Sequence, residues 1–268
     1  MKYLVQAIGF FALATFFIAC SSDGSSSGPD ENSDLSSSSQ DLSGSSGDWS
    51  WNVSKESFLN PDVDYGSMTD SRDGKIYKTV QIGDQVWMAE NLNYDPGQGG
   101  SGENKYDWTW CYNQDSANCE VTGRFYTWAA AVDSVTTGCG YGKTCELSGN
   151  VQGVCPKGWH LPSPTEWALL FDAVGGQSTA GKVFKTQSGW SEYYGSNGTN
   201  DFGFSVLPAG GRDVDGTFAY VGYNSYFWSS TENYKNFADY LYLDCAYEDA
   251  YIISNTKSVG FSVRCLKD

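Results

Sequence analysis

Between Lys75 and Ile82 apolar and polar side chains alternate, with Ile76, Val80 and Ile82 on one face and Tyr77, Thr79 and Gln81 on the other. Gly83-Asp84 supplies a two-residue turn and Gln85 to Leu92 returns as a partner strand, so a β-hairpin is predicted. Phe125, Trp128, Ala129 and Val132 fall at i, i+3, i+4 and i+7 and predict an amphipathic helix over 124–132. A second helix has its start written into the sequence. Ser163 and Glu166 form a capping box, Pro164 takes the first helical position, and Gly175 can end it. Its stripe of Trp167, Leu170, Phe171 and Val174 is read as core packing rather than a cofactor box. Beyond Phe202 the pattern is strand and turn, with strands over 226–231, 238–245, 250–254 and 258–266. Leu241, Leu243 and Cys245 share one face of their strand; Val259, Phe261, Val263 and Cys265 share one of theirs. Two helices between the hairpins of one mainly antiparallel sheet make an α+β domain.

The beginning of the chain follows other rules. After Lys2, Tyr3 to Ile18 is an uncharged apolar run of sixteen residues, short of the roughly 20 that a membrane span needs. Residues 1–19 therefore read as an export signal. The run ends Ile18-Ala19-Cys20, which resembles the bacterial lipobox and implies a diacylated Cys20 as the mature N-terminus. Ser21, in place of Asp, implies sorting to the outer membrane, and Asp23, Asp30 and Glu31 resemble surface-export tags. Residues 21–48 hold thirteen Ser, four Gly and five Asp and no aromatic, so with Cys20 they make a lipidated, disordered tether over 20–48. A lead-in segment over 49–69 and one folded domain over 70–268 complete the chain.

Composition sharpens the class. A 16 % aromatic content beside 18 % charged residues fits a secreted, loop-rich globular domain and excludes a disordered chain or coiled coil. A net charge of −16 excludes a phosphate-backbone binder, so no nucleic-acid partner is expected. Eight cysteines without a C-x-x-C pattern point to disulfides.

Six runs have a joint identity. They are Thr69-Asp70-Ser71-Arg72-Asp73-Gly74, Val86-Trp87-Met88-Ala89-Glu90-Asn91-Leu92, Tyr126-Thr127-Trp128-Ala129-Ala130-Ala131, Cys155-Pro156-Lys157-Gly158-Trp159-His160-Leu161-Pro162, Tyr226-Phe227-Trp228-Ser229-Ser230-Thr231-Glu232 and Gly260-Phe261-Ser262-Val263-Arg264-Cys265. In this order they resemble the Fibrobacter succinogenes major paralogous domain, a family of cell-surface lipoproteins in a cellulose-degrading bacterium. Leu161-Pro162 before Glu166-Trp167, with the terminal Gly-Phe-x-Val-Arg run, is also similar to the formylglycine-generating enzyme group. That likeness implies a C-type-lectin-like fold: a looped, mainly antiparallel sheet with two flanking helices and long disulfide-tied loops.

Cys111 with Cys119 and Cys139 with Cys145 bracket short loops and are expected to pair, and Cys155 with Cys265 would then tie the entrance of the second helix to the core-facing last strand. Cys245 is left as a buried apolar thiol. His160, the sole histidine, reads as a structural hydrogen-bonding group, and no metal site is expected. No cofactor is expected either; calcium, which a lectin-like loop can hold, lacks a recognisable binding run. Cys245 and Cys265 are twenty residues apart, unlike the close C-terminal pair of formylglycine-generating enzymes, which makes that enzymatic reading the weakest.

What remains is tyrosine. Tyr220, Tyr223, Tyr226, Tyr234, Tyr240, Tyr242, Tyr247 and Tyr251 crowd into one stretch, and Trp190, Tyr193 and Tyr194 lie in a Gly/Ser/Asn-rich loop. Flat rings beside Arg212, Asp213, Asn224 and Glu232 suit sugars, whose C–H faces stack while their hydroxyls take hydrogen bonds. The expectation is a non-enzymatic surface lipoprotein that binds plant-wall polysaccharide or another glycan through Trp190, Tyr193, Tyr194, Tyr220, Tyr223 and Tyr234. The alternative is a structural or protein-interaction module of the cell envelope using the same surface.

Overall fold

The computed structural model describes residues 49–97, 109–192 and 197–268. The export signal, Cys20, the Ser-rich tract, Tyr193 and Tyr194 lie outside these residues. The described chain opens on stacked rings. Trp49 lies parallel to Phe58 at 5.4 Å and meets Trp51 edge-on at 5.2 Å, and Trp51 packs on Tyr112 at 5.1 Å. The lead-in segment is thus built into the domain, and its end, β1 (Gly66–Thr69), pairs antiparallel with β2 (Ile76–Ile82).

The hairpin of β2 and β3 (Gln85–Met88) closes at Gly83, whose φ of 59° is the left-handed value such turns require. Its facing differs at one end from the alternation. Ile76 is 59 % exposed and Tyr77 2 %. The Tyr77 hydroxyl accepts a bond from the Asn93 amide at 3.0 Å, which gives the ring a polar anchor inside.

The segment expected to be helical over 124–132 is not one helix. Phe125 and Tyr126 form β5 (Phe125–Tyr126), paired with β4 (Thr109–Trp110) beyond the short α1 (Ser116–Thr122). The Tyr126 amide also donates to Phe261 O at 2.8 Å. With those backbone groups taken, helix begins at α2 (Trp128–Ala131), one turn capped by Thr127, followed by α3 (Ser134–Thr137). After β6 (Trp159–His160) comes α4 (Pro164–Ala173), which has both bonds of its capping box and buries Trp167, Leu170 and Phe171. An unpredicted helix follows, α5 (Gln177–Phe184). Gly181 reads as a helix breaker, yet a Cβ there would lie 2.2 Å from Asp249 O, so glycine is what lets the 248–249 backbone cross the helix.

Then come β7 (Gly211–Arg212), β8 (Phe218–Ala219), β9 (Asn224–Tyr234), β10 (Phe237–Asp244), β11 (Tyr251–Thr256) and β12 (Leu266–Lys267). Strands run antiparallel in a five-stranded sheet of order β1-β2-β3-β12-β6 and a three-stranded sheet of order β11-β10-β9. Both faces of β9 and β10 are covered. Tyr226, Trp228 and Tyr240 pack on Phe261, while Phe227 lies against Trp167 at 6.3 Å. The expected strand over 258–266 threads between the sheets instead. Val259, Phe261, Val263 and Cys265 are buried as read, but so are Ser258, Ser262 and Arg264, and regular pairing is confined to β12 at the segment's end.

Disulfides join Cys111 to Cys119, Cys139 to Cys145 and Cys155 to Cys265. Cys245 is disulfide-bonded, which corrects its reading as a free buried thiol. The whole is an α+β fold of mostly antiparallel sheet.

Candidate functional site

Four rings run from the surface of the three-stranded sheet into the core. Tyr251 lies 6.4 Å from Tyr242, Tyr242 stacks on Tyr226 at 5.5 Å, and Tyr226 stacks on Phe261 at 4.6 Å. The strand pattern places them, because Tyr242 is opposite Tyr226 on one side and Tyr251 on the other and so shares their face. Tyr242 and Tyr251 are half-buried, and each hydroxyl donates to a carboxylate two residues away: Tyr242 to Asp244 Oδ2 at 2.6 Å and Tyr251 to Asp249 Oδ2 at 2.8 Å. Burial and the Asp249 charge push the Tyr251 phenol up to about 12, and burial with Asp244 raises Tyr242 further. Both therefore stay neutral donors. Asn224 donates to Asp244 Oδ2 at 3.0 Å and accepts from the Tyr226 hydroxyl at 2.7 Å. Tyr220, 42 % exposed, has a left-handed φ of 65° and its carbonyl accepts the Asn224 amide at 2.9 Å.

Apart from Tyr226 and Phe261, the six sequence runs occupy a different place. Arg264 is fully buried, and its guanidinium donates to Asn91 Oδ1 at 2.6 Å, to Ser205 O at 3.2 Å and to Phe204 O. Asn91 in turn donates to Thr122 O at 2.9 Å. Trp128 and Trp228 are reciprocal: the Trp128 indole donates to Ser229 O at 2.9 Å and the Trp228 indole to Tyr126 O at 2.7 Å. Arg72 holds buried Asp70 through Nε and Nη2, stacks on Tyr94 at 3.6 Å and reaches Val154 O at 2.9 Å. His160 meets Asp268 Oδ1 through Nδ1 at 2.8 Å and Glu166 Oε1 through Nε2 at 2.9 Å, which commits both ring nitrogens to tying the last residue to α4. These runs lock strands, loops and helix starts together, and the groups they name are largely spent on one another.

A family model, the Fibrobacter succinogenes major domain, matches residues 80–267. The chain belongs to this family. No curated protein matches it, and no solved structure does. The Fibrobacter succinogenes major domain match begins inside β2, yet Trp49, Trp51, Phe58 and β1 complete its packing from outside. Its interior also holds two lysines. The Lys257 ammonium pairs with Glu232, lies 4.3 Å over the Trp128 ring and donates to Gly140, Lys143 and Lys235 carbonyls, pinning the Cys139–Cys145 loop. Lys185 donates to Asp244 O and Tyr247 O, and burial lowers it to about 8.

The residues expected to bind a ligand scatter across this domain. Trp190 is wholly buried, its indole bonded to Thr186 Oγ1 and Val206 O, which corrects its placement on an exposed loop. Glu232 is spent on Lys257 and the Cys145 amide. Arg212 stacks 4.0 Å over Trp110, and Asp213 is exposed in the adjoining turn. Tyr223 is half-buried beside the lead-in: a Cβ on its neighbour Gly222 would touch Trp49 at 3.4 Å. Tyr234, 73 % exposed, stands at the β9–β10 turn. Sequence reasoning missed Tyr242 and Tyr251 as a pair, although the Tyr-x-Asp and Asp-x-Tyr spacings were there to read. Among the described residues, no group of acidic, histidine or cysteine side chains is arranged to hold a metal, and no helix is long and apolar enough to cross a membrane.

Proposed function

We propose that this chain is a non-enzymatic lipoprotein of the outer membrane, anchored at Cys20 and exposed at the cell surface, that binds plant-wall polysaccharide or another glycan. The observation that carries the reading is the half-exposed Tyr242–Tyr251 strip with Asp244 and Asp249 bonded to its hydroxyls. A sugar offers an apolar C–H face and a rim of hydroxyls. Rings held in place by their own carboxylates present the matching face with little rotamer freedom left to lose. A C-type-lectin-like arrangement belongs to the same reading, supported by the looped antiparallel sheets and the long Cys155–Cys265 bridge. The test is retention of the full chain on insoluble cellulose and xylan. Tyr251→Ala should cut retention at least tenfold, and unchanged retention overturns the reading. Anchoring is tested by intact mass of the membrane-extracted protein, which should begin at Cys20 and carry acyl chains; any other start without acyl mass refutes it.

A second reading, a protein-interaction module of the envelope, is favoured by Tyr234 and Phe237. They pair across the β9–β10 turn and are 73 % and 45 % exposed. Tyr234→Ala should then abolish capture of an envelope protein while leaving polysaccharide retention intact.

A further inference from the structure

Away from the tyrosine strip, the lead-in segment, the β2–β3 hairpin and α1 enclose a cleft of about 220 Å³. Phe58, Val121 and Leu207 form its apolar lining, and Lys55, Lys75, Glu90 and Glu120 its charged lining. Both ammonium groups of the cleft are paired. The Lys55 ammonium is 2.9 Å from Glu90 Oε1, and Lys75 is 3.2 Å from Asp73 Oδ2 and donates to Asn93 O at 2.7 Å. Glu90 is nine-tenths buried, held by the Lys78 amide at Oε2 and by the Lys55 ammonium at Oε1. Exposed Glu120 uses one oxygen for Asn93 at 3.1 Å.

This arrangement selects by chemistry. Two ammonium groups beside three carboxylates, Asp73 included, give no excess of positive charge to draw in a phosphate. Hydroxyl groups, which donate to a carboxylate and accept from an ammonium, satisfy both kinds of partner at once. The volume lies below the roughly 300–1,000 Å³ typical of pockets for drug-sized ligands, so one ring fits and a chain segment does not. We propose that the cleft binds a single neutral pyranose, free or at the end of a glycan chain, with its C–H face on Phe58, Val121 and Leu207 and its hydroxyls on Glu120 and Lys75. The choice of a sugar among neutral polyols rests on the glycan reading; the cleft itself does not.

The test is saturation-transfer NMR titration of the full chain with glucose, xylose and their β-1,4-linked disaccharides. Two variants alter exposed positions and should fold as the parent does: Glu120→Gln and Ile76→Trp, Ile76 lining the cleft and being 59 % exposed. Each should weaken monosaccharide binding at least tenfold, and Leu169→Ala, at an exposed α4 position that does not line the cleft, should leave it unchanged. Binding of monosaccharides and disaccharides alike assigns chain ends as well as free sugar; binding of monosaccharides alone assigns free sugar. Either upholds the site. No saturable binding, or binding that both cleft variants retain, overturns it. Retention on insoluble polysaccharide, measured separately on the same variants, then decides whether the tyrosine strip survives on its own.

Discussion

In the centre of the domain Arg264 bonds to Asn91, 173 residues away, and the Trp128 indole to Ser229, 101 residues away. On the tyrosine-bearing sheet, Tyr242 bonds to Asp244, Tyr251 to Asp249 and Asn224 to Tyr226, each at a separation of two. Both regions satisfy buried or half-buried polar groups, but with different consequences. A long-range bond exists only when the fold exists, so losing one partner strands the other inside. A bond two residues away is made by a strand wherever it lies, and its removal leaves the sheet's own pairing in place. The six signature runs lie mainly in the first region, and only Tyr226 and Phe261 of them reach into the strip. The runs tie this fold together, while the proposed binding surface lies in the second region.

The long bridge should separate the regions most strongly. Closing 110 residues between Cys155 and Cys265 is worth up to about 4.7 kcal/mol in the chain-entropy model. Replacing both by Ala should cost most of that in urea unfolding. The same change at Cys139 and Cys145, six residues apart, should cost about half as much. Equal losses would show that the centre is not held by its long-range ties.

Next comes Arg264→Met. It removes the guanidinium but not its acceptors, leaving Asn91 Oδ1, Phe204 O and Ser205 O inside without a donor. The expected loss is about 3–5 kcal/mol, read as a fall in the urea midpoint at unchanged m-value. A loss below 1 kcal/mol would break the contrast.

The same contrast governs what could be read in advance. Helix α4 was legible because Ser163, Pro164, Glu166 and its apolar stripe all lie within twelve residues. The β2–β3 hairpin was legible for the same reason, through Gly83 and the alternation around it. Trp190 was not, since its neighbours Gly189 and Ser191 suggest exposure while its partners Thr186 and Val206 come from the fold. The segment 258–266 showed one true apolar face, but nothing local shows that Arg264 on the other face meets Phe204, Ser205 and Asn91. Cys245 had no nearby cysteine and was read as free, although it is bonded. Of the candidate site, the abundance of tyrosine was legible and its burial was not. Alternation says which rings share a face, not whether Phe261 covers it.

A smaller effect is expected at His160, where a long-range bond (Asp268) and a local one (Glu166) meet on one ring. Burial alone would lower the imidazole pKa, but bonds and charges from Glu166 and Asp268 raise it overall. Burial likewise opposes ionisation of Glu166, and bonds from His160 and Ser163 bring it down overall. A raised histidine stabilises fully below its unfolded value near 6.5 and stops doing so as pH rises through the folded value. A lowered glutamate stabilises above its unfolded value near 4.5 and loses this as pH falls through the folded one. Both contributions are complete between about pH 4.5 and 6.5. Urea midpoints should decline on the alkaline side of that window, and His160→Gln should flatten the decline.

The smallest effect on stability is expected where the largest effect on binding is proposed. Tyr251 lies on β11, at the edge of its sheet, with one stacking neighbour, Tyr242, and one hydrogen bond, to Asp249. Tyr251→Ala exposes Asp249, which water satisfies, and uncovers one side of Tyr242, whose other side still rests on Tyr226. No acceptor is stranded in the core, so the cost should stay below about 1 kcal/mol. Tyr226→Ala, on the same strip but stacked on Phe261 and buried to 7 % exposure, should cost about 3 kcal/mol or more through the cavity it leaves. Thermal melts of the two variants beside their polysaccharide retention place the boundary between the regions. If Tyr251→Ala destabilises as much as Tyr226→Ala, the strip is core throughout, and lost retention would report unfolding rather than a ligand.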